Sequence, residues 1–439
     1  MRKIFGTDGA RGIANKELTV EVAVKIGRAV ASVFKEKSAI LIGEDTRISS
    51  PMLRNAVSAG VASAGSNVVI AGIIPTPAVS LLTFEKGFDA GIMISASHNP
   101  VEYNGIKPFD RFGFKLSDET EIQIEKLVED LHKDLPNGDE VGKIYRDDSL
   151  ADFYIEHLVN RFPMDLSKLK IAVDTAFGAT YRTTPETLQK LNARLFLFGA
   201  EPDGSRINVN CGSTHIETIK KFALERGADI GIAHDGDGDR VLFVDEKGKT
   251  VDGDETMLII AKYLKSKGKL KNNTVVGTVM SNMGVVKAFE ENGIKFVRAP
   301  VGDRYVLREM RRYDAVIGGE QSGHVIFLEE SKTGDGLITA LMLLRVLSDT
   351  GLPLSKLHEG IEHYPQILEN VRVKDKTIIQ KDVIKEFIEN EAKKLGDRGR
   401  ILVRASGTEP LIRIMVEGID PDEIRRVALR IREKIEGEM

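Results

Sequence analysis

One cysteine, Cys211, and no tryptophan occur among 439 residues. A single thiol cannot close an intramolecular disulfide, so the fold must hold without one, and such usage fits a reducing compartment such as the cytosol. Long apolar runs are missing too. The longest, around Leu337 to Leu347, is interrupted by Arg345 and is too short for a membrane span. At the N-terminus Gly6, Thr7, Asp8 and Arg11 stand where an export signal needs an unbroken apolar stretch. Neither sign of charge is in excess: 62 Lys and Arg against 66 Asp and Glu leave a formal net charge of -4. That balance argues against broad attraction to nucleic acid or an anionic membrane, so any anion site must be local.

What is present is an ordinary apolar fraction, 42%, arranged in short strand-like runs that alternate with helix-period segments. Strands are expected at Ala39 to Gly43, Val68 to Ile74, Ala90 to Ile94, Lys170 to Val173, Ile230 to Ala233, Val241 to Val244, Thr274 to Val279 and Ala315 to Ile317. Helices are expected at Val20 to Phe34, Glu255 to Ser266, Met283 to Asn292 and Gly336 to Leu347. Charged, Gly- and Pro-containing stretches at Leu135 to Asp148, Asp245 to Asp252 and His363 to Gln366 read as boundaries. Beyond the last, Arg400 to Val403 and Ile412 to Glu417 read as strands flanking a loop. A final helix follows, with Asp420 as N-cap, Pro421 at its first position and Glu423 completing a capping box. The expected fold class is α/β, with three similar α/β domains carrying mixed sheets (1–148, 149–249, 250–362) and a smaller C-terminal α+β domain (363–439).

Four segments carry chemistry. SASHNP, Ser95 to Pro100, follows a strand-like run and places the Ser97 hydroxyl on a loop, as a candidate nucleophile or as a plain turn that closes the strand. In HDGDGDR, His234 to Arg240, glycines alternate with Asp235, Asp237 and Asp239. A tight loop of that kind can turn three carboxylates onto one hard cation such as Mg²⁺. Counting from Asp235 reaches Glu246 at the twelfth position, as in an EF-hand, but Arg240 occupies the sixth position, where the turn needs glycine. GGEQSGH, Gly318 to His324, offers Glu320 and Ser322 to sugar hydroxyls. RASGTEP, Arg404 to Pro410, with Arg413 nearby, can present a guanidinium, the hydroxyls of Ser406 and Thr408, and backbone N–H groups at Gly407 to one phosphate. Gly248-Lys249-Thr250 ends like a nucleotide P-loop, but Phe243 stands where its first glycine belongs. Cys211, in NCGSTH, reads as a packed residue rather than a nucleophile.

Taken together, a hydroxyl nucleophile, a carboxylate cation site, a hydroxyl-reading loop and a separate phosphate anchor describe phosphoryl transfer on a phosphorylated sugar. FGTDGARG, SASHNP, NGIKP, DGDGDR, GEQSGH and RASGTEP occur in an order that resembles the α-D-phosphohexomutase superfamily over almost the whole chain. The resemblance implies four domains around a central cleft. It implies that Ser97 carries a phosphoryl group and that Asp235, Asp237 and Asp239 hold Mg²⁺ together with a phosphoserine oxygen. Glu320 and Ser322 would orient the sugar, and Arg404, Ser406, Gly407, Thr408 and Arg413 would anchor its non-reacting phosphate. Arg11, Lys107, His98 and His324 would line the catalytic centre, with Arg240 beside the metal loop. FGTDGARGIANKELT, GGEQSGH in place of GEMSGH, TGDGLITAL and YPQILENVRV resemble the bacterial amino-sugar branch. That branch implies glucosamine phosphates as substrates and glucosamine 1,6-bisphosphate as intermediate. Other readings are the mannose/glucose branch of the superfamily and, from another class, a non-catalytic metal-binding sensor of sugar phosphates. The implied partner is a phosphosugar, with neither nucleic acid nor membrane; a homodimer is compatible with the sequence and not specified by it.

Overall fold

In the first half of the chain the β-branched runs lie buried between helices, the environment in which parallel strands form. The structure is a computed structural model and describes residues 4–6, 9–34, 37–129, 135–406 and 410–439. It falls into two units, one made of Met1–Met280 with Ile294–Glu359, the other of Ser281–Gly293 with Gly360–Met439.

The first unit holds three sheets. Strands β1 (Ala10–Ile13), β2 (Ala39–Glu44), β3 (Asn67–Ile73), β4 (Ala90–Ile94), β5 (Tyr103–Asp110) and β6 (Ile144–Arg146) lie in the order β1-β5-β4-β2-β3-β6. Strands β7 (Lys170–Asp174), β8 (Arg194–Phe198), β9 (Ile230–His234), β10 (Val241–Asp245) and β11 (Thr250–Val251) lie in the order β11-β10-β9-β7-β8. Strands β12 (Thr274–Thr278), β13 (Lys295–Ala299), β14 (Ile317–Gly319) and β15 (Val325–Phe327) give β13-β12-β14-β15.

One plan recurs in all three sheets. A first strand pairs in parallel with the next two, and the last of these turns back into an antiparallel neighbour: β4 into β5, β9 into β10, β14 into β15. The three turn-back loops contain Ser97, Asp235 to Arg240, and Glu320 to His324. Each loop thus sits at the carboxyl end of a parallel strand, where α/β sheets bind ligands.

The helices are anchored at their starts. Thr19 caps Val20–Val33 through the Val22 N–H, and that helix buries Ala23, Ile26 and Val30 against the first sheet. Asp252 and Glu255 form a reciprocal capping box at Gly253–Ser266. Asp335 caps Gly336–Thr350 through the Leu337 and Ile338 N–H groups, both at 2.9 Å. Among the described residues no helix is long and apolar enough to cross a membrane.

The second unit carries an antiparallel sheet, β16 (Gln366–Arg372), β17 (Gly399–Ala405) and β18 (Leu411–Gly418), in the order β16-β18-β17. Helix Pro421–Gly437 lays Ile424, Val427, Ile431 and Ile435 into the core of this sheet with Ile412, Ile414 and Val416.

Two boundary stretches carry structure of their own, and two local expectations change. The stretch Leu135 to Asp148 ends in β6, an edge strand paired in parallel with β3 and exposed along its length, so it shows no apolar pattern. Asp245 to Asp252 is a tight hairpin whose second arm, β11, pairs with β10 and completes the second sheet. Ala315 is held by its N–H to Met310 O at 2.8 Å, an extension of the preceding helix end, and the strand begins only at Ile317. Asp420 does cap the last helix, accepting from Asp422 and Glu423 N–H. The Glu423 carboxylate, however, pairs with Arg398 at 2.9 Å instead of closing a box.

Candidate active site

Ser97 is buried, and its φ of 54° is a left-handed conformation that a residue with a Cβ adopts only when its surroundings enforce it. Its Oγ donates to Asp235 Oδ2 at 2.6 Å and lies 3.3 Å from His98 Nδ1. The first and second turn-back loops therefore meet at this hydroxyl.

The three aspartates of the second loop are all buried, and their carboxylate oxygens approach within 4.8 Å of one another. Gly236 and Gly238 make this approach feasible. A Cβ on Gly236 would meet Ser97 O and Asn208 Nδ2 at 2.7 Å, and Gly238 has φ +72°. Asp237 Oδ2 accepts from Thr76 Oγ1 at 2.5 Å and from Lys107 Nζ at 2.8 Å. Asp235 Oδ1 accepts from Arg240 N at 3.2 Å. Two further oxygens of the triad, Asp237 Oδ1 and Asp239 Oδ1, are buried without a hydrogen-bond partner among the described residues.

Burial, followed by the charges of Asp239 and Asp237, pushes the Asp235 carboxyl well above the ordinary carboxylate range. Burial also works to raise Asp239, but His324, Lys107 and Arg240 outweigh it and hold that carboxyl well below the usual range. Three buried carboxylates crowded this closely create a local demand for positive charge. Hard oxygen donors, converging and partly unpartnered, suit a divalent cation, and the triad can hold one.

The third loop joins through His324, whose Nδ1 lies 3.5 Å from Asp239 Oδ2 and whose Nε2 lies 3.8 Å from Asp303 Oδ2. Burial acts to lower the His324 pKa, yet the charge and hydrogen bond of Asp239, with the charge of Asp303, leave it raised. The Gly334 N–H points at Nε2 from 3.2 Å, which favours the neutral ring with its proton on Nδ1, against the pull of the two carboxylates. His98 shows no such conflict. Burial, Arg240 and Arg11 lower it to about 4, so its ring is neutral near pH 7.

Glu320 Oε1 accepts from Gly302 N at 2.9 Å, and Ser322 Oγ donates to Glu320 Oε2 at 3.3 Å. Arg11 reaches the first loop through Asn99 Oδ1 at 3.1 Å. The Arg240 side chain is partly exposed and lies 3.9 Å from Asp239 Oδ1, with Glu320 adding to the negative field around it.

Two residues at the centre escape motif reading. Arg47 is fully buried and donates to Ser97 O, Asn99 O, Pro100 O and Tyr103 O while pairing with Asp45 at 3.0 Å. Asn208 Nδ2 donates to Ser97 O at 2.9 Å from the second sheet's side. The available signal for Arg47 is a charged and hydroxyl-rich run, Glu44 to Ser50, directly after an apolar strand. Asn208 gives no comparable signal. Cys211 is packed beside Ala176 and Phe177, and burial pushes its thiol up to about 12, which makes it inert as a nucleophile.

In the second unit Arg404 and Arg413 stand directly opposite each other on β17 and β18. Burial and the charge of Arg413 lower the pKa of Arg404. Ser406 is buried; its N–H donates to Leu411 O and its carbonyl accepts from Lys376 Nζ, both at 2.8 Å. Gly407 and Thr408 lie outside the described residues.

The first unit has three α/β sheets of one plan, with a hydroxyl on the first set against a carboxylate triad on the second, and the second unit is a small antiparallel sheet; this is the layout of a multidomain α/β protein with a candidate cation site. The chain matches the phosphoglucomutase/phosphomannomutase alpha/beta/alpha domains I (residues 2–134), II (152–248) and III (252–364) and the C-terminal domain (368–434). It belongs to the phosphoglucomutase/phosphomannomutase family and is a phosphohexomutase, an isomerase.

Among curated relatives it is 50% identical over 439 residues, 99% of each chain, to the phosphoglucosamine mutase of Desulforamulus reducens. Among solved structures it is similar to a phosphoglucomutase/phosphomannomutase family protein from Burkholderia thailandensis. That likeness has TM-score 0.83 and 25% identity, covering 99% of this chain and 97% of the other. The fold is also that of Aspergillus fumigatus N-acetylphosphoglucosamine mutase, solved in complex with GlcNAc-6P and magnesium. There the TM-score is 0.72 and the identity 18%, covering 99% and 96% of the two chains.

Proposed function

We propose that this chain interconverts glucosamine 6-phosphate and glucosamine 1-phosphate, with Ser97 as the residue that carries the phosphoryl group between them. The observation that carries the reading is the Ser97 hydroxyl, held in a left-handed backbone at 2.6 Å from a buried carboxylate triad. Identity of about half the residues with a phosphoglucosamine mutase over the full chain supports the choice of sugar.

Asp235, Asp237 and Asp239 are the residues that would hold Mg²⁺, which when bound supplies charge neutralisation at the transferring phosphoryl group. Phospho-Ser97 donates its phosphoryl group to the free oxygen of the sugar, giving glucosamine 1,6-bisphosphate. The bisphosphate turns to present its other phosphate, and the Ser97 oxygen takes that group back, which regenerates the enzyme. Lys107, Arg11 and Arg240 offset negative charge around the reacting oxygens; losing one such contact typically raises a barrier by about 2.7–4 kcal/mol. His324 or Lys107 would take up the sugar hydroxyl proton, His98 would line the catalytic centre as a neutral ring, and Glu320 and Ser322 would hold sugar hydroxyls. Arg404, Arg413 and Ser406, with Gly407 and Thr408 by the same resemblance, would anchor the phosphate that is not reacting. The lone thiol, inert and buried, agrees with a cytoplasmic enzyme.

Intact mass measurement and rate comparison test this together. The purified chain should carry one phosphate that Ser97→Ala removes along with turnover, and glucosamine 6-phosphate should react faster than mannose 1-phosphate or glucose 1-phosphate. An unmodified, fully active Ser97→Ala protein would refute the role of Ser97. Preference for mannose or glucose phosphates would move the chain to the other branch of the family. Binding of sugar phosphates with no isomerisation would leave the sensor reading.

A further inference from the structure

The Ser97 carbonyl, at the opposite end of the residue from the reacting hydroxyl, is gripped from two sides. Arg47 Nη2 donates to it at 2.9 Å from the loop after β2, and Asn208 Nδ2 donates to it at 2.9 Å from the segment after β8. Both donors are buried, Arg47 completely and Asn208 to 7% exposure. Which amide atom of Asn208 faces Ser97 is fixed by chemistry, since only the NH₂ group can approach a carbonyl oxygen without repulsion.

The same network reaches the Ser97 N–H. Asp45 pairs with Arg47, accepts from Ser95 Oγ at 2.6 Å, and Ser95 Oγ in turn accepts from Ser97 N at 2.9 Å. Burial raises the Asp45 pKa, opposed by Arg47, Ser95 and Ser50, so the carboxyl is invested in this network rather than in solvent. A left-handed residue with a Cβ costs on the order of 1–3 kcal/mol and reverts to an extended or helical backbone unless its neighbours forbid it. Rotating the Ser97 peptide to relieve φ would swing the carbonyl away from both donors and carry Oγ off Asp235.

We propose that Asn208 and Arg47 act as a two-donor clamp that positions Ser97, with Asn208 tying the Ser97 loop of the first sheet to the second sheet that bears the metal loop. Asn208 is a positioning residue: it touches the nucleophile's backbone and none of the reacting atoms. Gly236 leaves the room for this contact, because a Cβ there would strike both Asn208 Nδ2 and Ser97 O at 2.7 Å. The inference rests on the assignment of Ser97 as phosphoryl carrier and adds the means by which one serine keeps a fixed aim while the bisphosphate turns.

Asn208→Asp tests it with almost no change of shape. The variant replaces the donor by an acceptor facing the carbonyl and tolerates the left-handed φ of 61° at this position. Asn208→Ala removes the donor without adding charge. Mutase kinetics, thermal midpoint and the ³¹P resonance of the phosphoserine are measured on the phosphorylated full chain of each variant.

A misaimed nucleophile on the order of 1 Å out of place costs about 100-fold in rate. Accordingly kcat should fall about 10- to 100-fold, more for Asp than for Ala. KM should change less than about twofold, and the phosphoserine resonance should shift. Unchanged kcat in both variants, or a loss that only follows the unfolded fraction with an unmoved resonance, overturns the clamp. A wild-type chain that carries phosphate but isomerises no hexose phosphate refutes the proposed function instead, and the ³¹P comparison then still decides whether Asn208 positions Ser97.

Discussion

Lys107 Nζ and Thr76 Oγ1 converge on the same oxygen of Asp237, at 2.8 Å and 2.5 Å, and its other oxygen has no hydrogen-bond partner among the described residues. The carboxylate is thus divided between a structural side and a side turned to the triad. Lys107 and Asp237 are both buried, and Lys107 also acts on Asp239, so Asp237→Asn weakens the pairing of a buried ammonium without leaving it alone. Asp237→Asn should therefore lower stability by about 1–3 kcal/mol, less than the cost of about 3–5 kcal/mol usual when a buried ion pair loses a lone partner. Chemical denaturation with and without the substitution measures it. A change under about 1 kcal/mol would mean that Lys107 finds another partner or loses its proton.

Asp239 offers a gentler way to interrogate the cation site. His324, beside it, can become neutral when the carboxylate is removed, and Lys107 and Arg240 still face Asp237 and Asp235, so Asp239→Asn should fold. In the wild type, adding Mg²⁺ should raise the thermal midpoint by several degrees, since ligand at 100-fold over its Kd contributes about 2.7 kcal/mol. The same titration on Asp239→Asn should give a midpoint rise less than about half as large. Equal responses in the two proteins would place the cation elsewhere.

The parts of this site that can be read in the sequence are those whose chemistry is local. Three aspartates at alternate positions, or a serine straight after an apolar strand, show their chemistry within a few residues. The clamp does not, because Arg47 acts on a loop about 50 residues away and Asn208 on a carbonyl 111 positions earlier. Their meeting depends on which strands become neighbours, and no short window encodes that. The same physics divides the strands. Buried β2, β4 and β9 stand out as continuous apolar runs, whereas β6 and β11 at sheet edges are held by backbone pairing and need no apolar side chains. Three similar α/β domains with mixed sheets are expected from the alternation of strand and helix patterns, but the strand order they share is a pattern of pairing rather than of residues.

His358 gives a pH dependence away from the reacting groups. It is buried, with Nε2 3.0 Å from Asp245 Oδ2 and Nδ1 3.3 Å from Glu255 Oε1, while Lys249 Nζ lies 3.2 Å from Nδ1. Burial acts to lower its pKa, but the hydrogen bonds to Glu255 and Asp245 prevail over burial and Lys249 and leave it raised. A folded pKa above the unfolded value of about 6.5 means that the protonated ring stabilises the fold fully below that pH. The contribution is lost as pH rises through the folded value. The difference in thermal midpoint between wild type and His358→Gln should therefore be largest near pH 6 and shrink in alkaline buffer. A difference that grows with pH would show that the ring is buried neutral.

Arg404 and Arg413 face each other across one rung of the β17–β18 ladder, an arrangement in which like charges directly opposite oppose the sheet. Such a pair is retained where an anion relieves it, and phosphate, which accepts two guanidinium groups at once, is the natural one. Replacing Arg404 by Ala should then leave the ligand-free protein as stable as the wild type or more stable by up to about 1 kcal/mol, because the repulsion is gone. It should also weaken binding of glucosamine 6-phosphate by at least about 10-fold, the loss expected for one charge-assisted contact. Calorimetric titration on the unphosphorylated Ser97→Ala background separates this binding from turnover. Unchanged affinity, or destabilisation beyond about 2 kcal/mol without ligand, would make the pair a structural element of the sheet rather than a phosphate anchor.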